Sequence, residues 1–402
     1  MVGAARRSWL GSIGLSGTLA PLAVGLVVFG LGQELWSRYL PEYLRFLGAS
    51  AVVVGAFGAL SDLLDAAYAY PGGWISDRLG NRRALVLFGA LTTAGFVVYF
   101  LFRSVAGVFF GSILVMAWKS LGLPASFALV GEELEGSRRI VGFTAQAILK
   151  RLPIVIAPPL GGLLVERLGM ARGMRTGFLI SIALSVVMVA VLTGVSRRGK
   201  RDAPDPAAPR PVIFPRSTPR LHPTLKRLLA ADCLIRLCEG LPDVFLVVWA
   251  LEVLRLTPSQ FGLANSVLMA TAILSYFPAV ALGGRLEKKA FVVATFLFFT
   301  LFPLAVVLSR SFGQLLLAYV LGGLREIGEP ARKSLIVDYA DRGSRGKTVG
   351  LYYAIRGFAV AGAAAIGGAL WTVRPTLTFT VAAVLGAAGT FWAGFGLKTD
   401  PS

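Results

Sequence analysis

Twelve runs of mostly apolar residues, each about as long as a helix that crosses a bilayer core (~20 residues), leave this chain few folds to choose from. They lie at 15–40, 51–73, 84–103, 105–130, 140–165, 176–195, 228–251, 259–283, 290–308, 313–338, 348–371 and 376–397. The expected fold class is therefore an all-α membrane protein of twelve transmembrane helices. A chain that is 55% hydrophobic and only 15% charged, with a mean hydropathy of +0.72, suits that class better than a large soluble core.

The formal net charge of +19 would point a soluble protein toward nucleic acid. In this chain the basic residues fall mainly between the apolar runs, so no nucleic-acid partner is expected. Of the 40 Lys and Arg, most lie in segments on the side of the N-terminus and far fewer on the opposite side. The positive-inside bias then puts both termini in the cytosol of a multi-pass protein of the cytoplasmic (inner) membrane. Arg6 and Arg7 read as a basic flank of the first span. Cys233 and Cys238 share one apolar run, forming neither a metal pair nor a disulfide framework, and His222 is the single histidine. No metal and no cofactor are expected.

One long break interrupts the pattern. Residues 196–226 hold seven of the 21 prolines and a series of Arg and Lys; proline at that density forms neither helix nor sheet, so the segment reads as a cytosolic tether. It separates a first six-helix bundle, 1–195, from a second, 227–402. The two halves repeat. Glu42-Tyr-Leu-Arg45 returns as Glu252-Val-Leu-Arg255, and Gly72-Gly73 returns as Gly283-Gly284. Lys119, Gly122, Pro124 and Ala125 return as Arg325, Gly328, Pro330 and Ala331. Lys150 with Gly161-Gly162 returns as Arg356 with Gly367-Gly368. Such offsets, in one order, imply two bundles related by an axis along the membrane normal.

Ionisable residues within the runs are costly in a bilayer and so mark partners or a water-filled path. Glu34 and Arg38 share a face of the first span, and Asp62 and Asp65 sit three apart in the second. Lys119 is in the fourth span and Lys150 with Arg151 in the fifth. Asp232, Arg236, Glu239 and Asp243 make a stripe on the seventh; Arg325, Glu326 and Glu329 lie on the tenth and Arg356 on the eleventh. Seven cations against eight carboxylates leave room for structural pairs as well as a solute path. Lys119 and Arg325 are repeat mates near the bilayer midplane, where substrate sites are expected. If they are structural instead, the carboxylates in reach would be Glu326, Glu329 or Asp62.

Between the second and third runs stands Pro71-Gly72-Gly73-Trp74-Ile75-Ser76-Asp77-Arg78-Leu79-Gly80-Asn81-Arg82-Arg83. The glycine pair permits close backbone approach, and Gly80 can adopt positive φ. The spacing Gly73-x-x-x-Asp77-Arg78-x-Gly80-x-Arg82-Arg83, set between two spans, resembles the signature loop of the major facilitator superfamily. That resemblance implies two pseudo-symmetric six-helix bundles, with spans one, four, seven and ten lining a central cavity. It also implies a conformational latch in which Asp77 pairs with basic or helix-end groups, with Gly73, Arg78, Gly80 and Arg82 at the matching positions. The second-half copy, Gly284-Arg-Leu-Glu287-Lys288-Lys289, carries its acid one residue early. Ala157-Pro158-Pro159-Leu160-Gly161-Gly162 is similar to the Gly-Pro-x-x-Gly-Gly element of the proton-antiporter branch with alanine at its first position; a proline kink with a small-residue seam accounts for it equally well.

These readings converge on a secondary active transporter that moves a small organic solute by alternating access, coupled to protons, in drug or metabolite efflux or in organic-anion transport. Substrate binding is expected of Lys119, Arg325, Lys150, Arg356 and Glu239, and proton coupling of Asp62, Asp65 and Glu34. The partners are the solute, the proton and the lipid bilayer, and the chain is expected to act as a monomer. A receptor or scaffold on the same fold and an uncoupled uniporter are the alternatives. No nucleotide-binding glycine loop and no nucleophile with its base point to an enzyme.

Overall fold

A computed structural model describes residues 19–121, 137–198, 221–282, 287–340 and 345–397. Most of the 196–226 tether and the Gly122, Pro124 and Ala125 repeat positions lie outside the described residues. Those residues are overwhelmingly helical and include no strand, as a bilayer requires of a chain that must satisfy its backbone internally. The elements are α1 (Leu19–Glu34), α2 (Leu40–Phe46), α3 (Ala51–Leu79), α4 (Asn81–Leu101), α5 (Val105–Met116), α6 (Ser137–Arg198) and α7 (Pro223–Gly240). They continue as α8 (Pro258–Leu282), α9 (Lys288–Leu308), α10 (Phe312–Leu324), α11 (Glu329–Asp338), α12 (Arg345–Val360), α13 (Ala363–Val373) and α14 (Pro375–Gly396). Short turns of tighter or wider helix fill 37–39, 117–121 and 243–253. Where they are described, the twelve sequence-defined runs fall mainly on helical backbone; the ends of the first, fourth and eighth lie outside the described residues. Among the described residues seven helical stretches are long and apolar enough to span a membrane.

Where helices break, the residue type explains it. Gly80, at φ 82°, separates α3 from α4, and Gly169, at φ 78°, kinks α6 between the fifth and sixth runs; side chains avoid that left-handed region. The signature segment itself is less of a loop than its charge suggests. α3 runs through Pro71 to Leu79, so Asp77 and Arg78 end a helix and the turn contracts to Gly80. The tenth run is interrupted: α10 stops at Leu324, α11 starts at Glu329, and the Gly328 amide between them donates to Thr295 Oγ1 at 2.7 Å. A Cβ on Gly328 would lie 2.2 Å from the Phe291 carbonyl oxygen, so no other residue fits.

The chain forms two compact units, residues 1–40 with 64–213 and residues 41–63 with 214–402. The stretch 41–63, which the sequence places in the first bundle, thus groups with the second-half helices. The first unit is centred on Trp36, whose indole donates to Ser181 Oγ at 2.9 Å and whose ring meets Phe96, Tyr99 and Phe178 at 5.2–5.7 Å. The second packs Phe245, Trp249, Trp371 and Phe379 together. Phe110, Val187, Phe358, Val373 and Phe395 lie exposed on the helices, as lipid-facing residues do.

Lipid is as apolar as a leucine side chain, so helices associate through close packing and interhelical hydrogen bonds. A Cβ at Gly161 would sit 1.6 Å from the Leu35 carbonyl oxygen, and one at Gly72 2.5 Å from that of Leu121, whereas nothing lies within 4 Å of Gly73. The close approach in the glycine pair therefore belongs to Gly72. Gly161→Ala is expected to cost about 1–3 kcal/mol, the range for overpacking, and to lower the melting temperature of the purified protein. Gly73→Ala is expected to leave it unchanged.

Candidate functional site

In the first unit the fifth helix loosens into a wide turn over Ala117–Leu121, the kind of bulge that often marks functional sites. Thr92 pins it, accepting from the Trp118 amide at 2.9 Å and donating to the Val115 carbonyl at 3.1 Å. The bulge aims two consecutive residues at α3: Lys119 Nζ lies 3.0 Å from Asp65 Oδ2, and Ser120 Oγ donates to Asp65 Oδ1. Lys119 and Asp65 remain 58% and 41% exposed, so the pair is open to exchange. Glu34 accepts from Arg38 and Ser37, both at 3.3 Å. Lys150 is half-buried on α6 and Asp62 exposed on α3. Arg78 stacks its guanidinium 4.1 Å above the Trp74 ring, and Arg82 is half-buried; the Asp77 side chain lies outside the described residues.

The second unit carries a denser arrangement. Asp232, on α7, accepts from Arg332, from the Tyr352 hydroxyl at 3.0 Å and from Arg356 at 3.4 Å. Arg332 also clasps Glu329 with Nε at 3.0 Å and Nη2 at 2.7 Å. One turn along α7, Arg236 donates to Glu239, which meets Arg325 Nη2 at 3.3 Å. Arg236 closes the circuit 3.9 Å from both Asp232 and Glu329. Arg325 lies over the Phe299 and Phe302 rings at 5.1 and 5.6 Å. Asp232 and Arg332 are each 1% exposed along their side chains.

The break between α10 and α11 builds this cluster. It turns Arg325 away from its chain neighbours Glu326 and Glu329 toward Glu239 on another helix, while Glu326 accepts from Tyr276 at 2.9 Å. Of the two expected repeat mates, Arg325 pairs with Glu239 and Lys119 with Asp65. The α7 stripe ends at Glu239, because the chain leaves the helix at Gly240 and Asp243 begins the next turn exposed. Arg332 and Tyr352 are members that the charge pattern does not single out. Arg332 follows Arg325 by seven and Glu329 by three, one helical face, and that spacing was its available signal. The network holds four guanidiniums, Arg236, Arg325, Arg332 and Arg356, against three carboxylates, Asp232, Glu239 and Glu329. The exposed Lys333 adds a further cation 3.4 Å from Glu329. Arg325 Nε is buried and finds no hydrogen-bond partner among the described residues.

Apolar helices long enough to cross a bilayer, with an interrupted span and a charge cluster among them, define a polytopic membrane protein. The chain belongs to the Major Facilitator Superfamily, whose family model matches residues 22–257 and 228–402. It is 20% identical over 362 residues to an uncharacterized MFS-type transporter of Methanocaldococcus jannaschii, covering 88% of each chain. Its fold is similar to that of a POT family transporter crystallised with 5-aminolevulinic acid, at a TM-score of 0.76 and 15% identity, over 94% of this chain and 95% of that one. It is also similar to an inward-facing bacterial homologue of the iron transporter ferroportin, at a TM-score of 0.73 and 15% identity, over 96% and 98% of the two chains.

Proposed function

We propose that this chain is a proton-coupled secondary transporter of a small organic solute bearing an anionic group, working by alternating access in the cytoplasmic membrane as a monomer with both termini in the cytosol. The observation that carries the substrate class is the surplus of one guanidinium over carboxylates in the second-unit network. A carboxylate or similar anion that joined it would offset that guanidinium surplus. Arg325 and Arg356, like Arg236, are 18–21% exposed along their side chains, against 1% for Arg332, and would meet the anion, with Glu239 as the group it displaces. Lys119 and Lys150 are the cations that the first bundle would offer.

Asp65 supports proton coupling, with Asp62 and Glu34 as further candidates. Lys119 and Ser120 both engage Asp65, and an anion that draws Lys119 away would break that pair, so solute binding and the state of Asp65 would be linked. Gly73, Asp77, Arg78, Gly80 and Arg82 keep their proposed role as a latch, and the 196–226 segment its role as a tether between bundles.

The test is a thermal-shift series on the purified protein with monocarboxylates, their uncharged amides and matched amines, at several pH values. A ligand that binds the folded state raises its apparent stability with concentration over Kd. The acids are expected to stabilise and the amides to have no effect. Amides or amines that stabilise as well as the acids would refute an anionic substrate.

A further inference from the structure

The repeated element Glu-x-x-Arg, at Glu42–Arg45 and Glu252–Arg255, has no part in the site above. Glu42 and Arg45 lie one turn apart on α2, beyond the end of the first span; Glu252 lies just past the seventh, in the wide turn over Trp249–Val253. Both copies belong to the second unit. There Arg45 serves the other repeat's acid. Its Nε donates to Glu252 Oε1 at 3.2 Å, and Nη1 donates to the Ala49 carbonyl at 3.1 Å. Glu42 Oε2 is sealed from solvent and has no hydrogen-bond partner among the described residues. The second copy's own cation, Arg255, sits at φ 56° in the left-handed region and is exposed.

The charged groups that act on Glu42 are thus Arg45, from its own helix, and Glu252, from the segment packed against it. Two carboxylates face one guanidinium. Two ionised acids would leave an uncompensated negative charge at a half-buried position, with one oxygen lacking any donor. A proton on Glu42 removes the surplus charge and leaves Arg45 to Glu252.

The segment carrying Glu42 leads into a tight helix contact. A Cβ on Gly55 would lie 2.5 Å from the Ala364 carbonyl oxygen and 3.0 Å from Gly368 Cα, and one on Gly58 2.6 Å from Ala364 Cβ. Contacts this close separate as a unit or not at all. Charge at Glu42 therefore bears on whether residues 41–63 stay seated against α13.

We propose that Glu42 and Glu252 form a proton-binding acid pair around Arg45, with the proton on Glu42 in this conformation, and that this proton keeps segment 41–63 packed on the second-half helices. The proposal rests on the proton-coupled reading above, and adds a proton site distinct from Asp65. Burial and the neighbouring Glu252 carboxylate push the Glu42 carboxyl up to about 7, against the pull of Arg45. The folded state then binds a proton that the unfolded chain releases at lower pH. Its stabilisation is complete below the ordinary glutamate range and is lost as pH rises through about 7.

The experiment follows the full-length protein in nanodiscs from pH 5 to 9 with two readouts. One is melting temperature. The other is labelling of an Ala51→Cys variant by a membrane-impermeant maleimide, with the parent chain correcting for Cys233 and Cys238. Ala51 is buried, and its carbonyl lies at Gly368. Wild type is expected to lose melting temperature, and the Ala51→Cys chain to label faster, in one step near neutral pH. Glu42→Gln, which keeps the shape of the protonated acid, is expected to abolish the step in both readouts. Glu252→Gln is expected to move it to lower pH, because Arg45 is then free for Glu42. A wild-type step that survives Glu42→Gln, or that Glu252→Gln leaves in place, overturns the acid pair. The second variant decides the matter even where the first fails to fold. Proton flux in proteoliposomes separates the two ideas. Absence of solute-linked flux with an intact Glu42-dependent step refutes coupled transport while the acid pair stands.

Discussion

Replacing Asp232 with Asn should cost on the order of 3–5 kcal/mol, the penalty for breaking a buried ion pair from one side. The carboxylate is almost wholly buried and serves Arg332, Arg356 and Tyr352 together. Asparagine preserves its size but leaves Arg332, itself 1% exposed, with Glu329 as its one remaining acid in the network. The surplus of guanidiniums over carboxylates in the cluster rises from one to two. The expected observation is a large drop in melting temperature and a loss of monodisperse protein after extraction. Removing both charges tells whether desolvation is responsible. Asp232→Leu combined with Arg332→Met should recover much of the stability, since apolar pairs of similar volume often match a buried ion pair. A single mutant that melts like wild type would mean that water reaches Asp232 and that the network is not sealed.

Much of the architecture could be read because bilayer thickness fixes span length, and the described parts of the twelve runs fall mainly on helix. The ends of elements were less legible. Pro71 and the charges after it suggest a loop, but a helix end can carry Asp77 and Arg78 in its last turn, and Gly80 alone supplies the bend. Most of the charged residues were legible as a set, since an ionisable side chain deep within an apolar run stands out. Their pairing was not. Whether Arg325 meets Glu326 beside it or Glu239 across the bundle depends on the break at Gly328, and that break arises from the Phe291 carbonyl and Thr295 hydroxyl of a helix more than 30 residues away (no local pattern encodes it). Arg332 escaped notice for a related reason. It stands near the basic end of its run, and only the approach of α7 and α12 buries it. The repeat between Glu42–Arg45 and Glu252–Arg255 was visible as symmetry, yet the crossed pairing of Arg45 with Glu252 follows from the packing of residues 41–63.

Arg325→Gln should remove anion binding while sparing most of the fold. Arg325 is 18% exposed on its side chain, lies across Phe299 and Phe302, and shares Glu239 with Arg236. Its loss therefore leaves Glu239 still paired, unlike the case at Asp232. If Arg325 meets the solute, the mutant should bind an anionic ligand more weakly by about 2–5 kcal/mol, as when one partner of a close charge pair is truncated. That is a rise in Kd of at least roughly thirtyfold. Glu239→Gln makes the opposite prediction, because it removes the internal competitor for Arg325 and Arg236 and so should bind the anion at least as tightly as wild type. Lys119→Gln should have the smaller effect, since Lys119 is more than half exposed and engaged with Asp65. Binding and melting temperature measured on the same three variants decide the role of the cluster. An Arg325→Gln protein with unaltered affinity and lowered stability would reduce Arg325 to a structural partner of Glu239. A Glu239→Gln protein that loses affinity would show instead that the acid itself holds the solute.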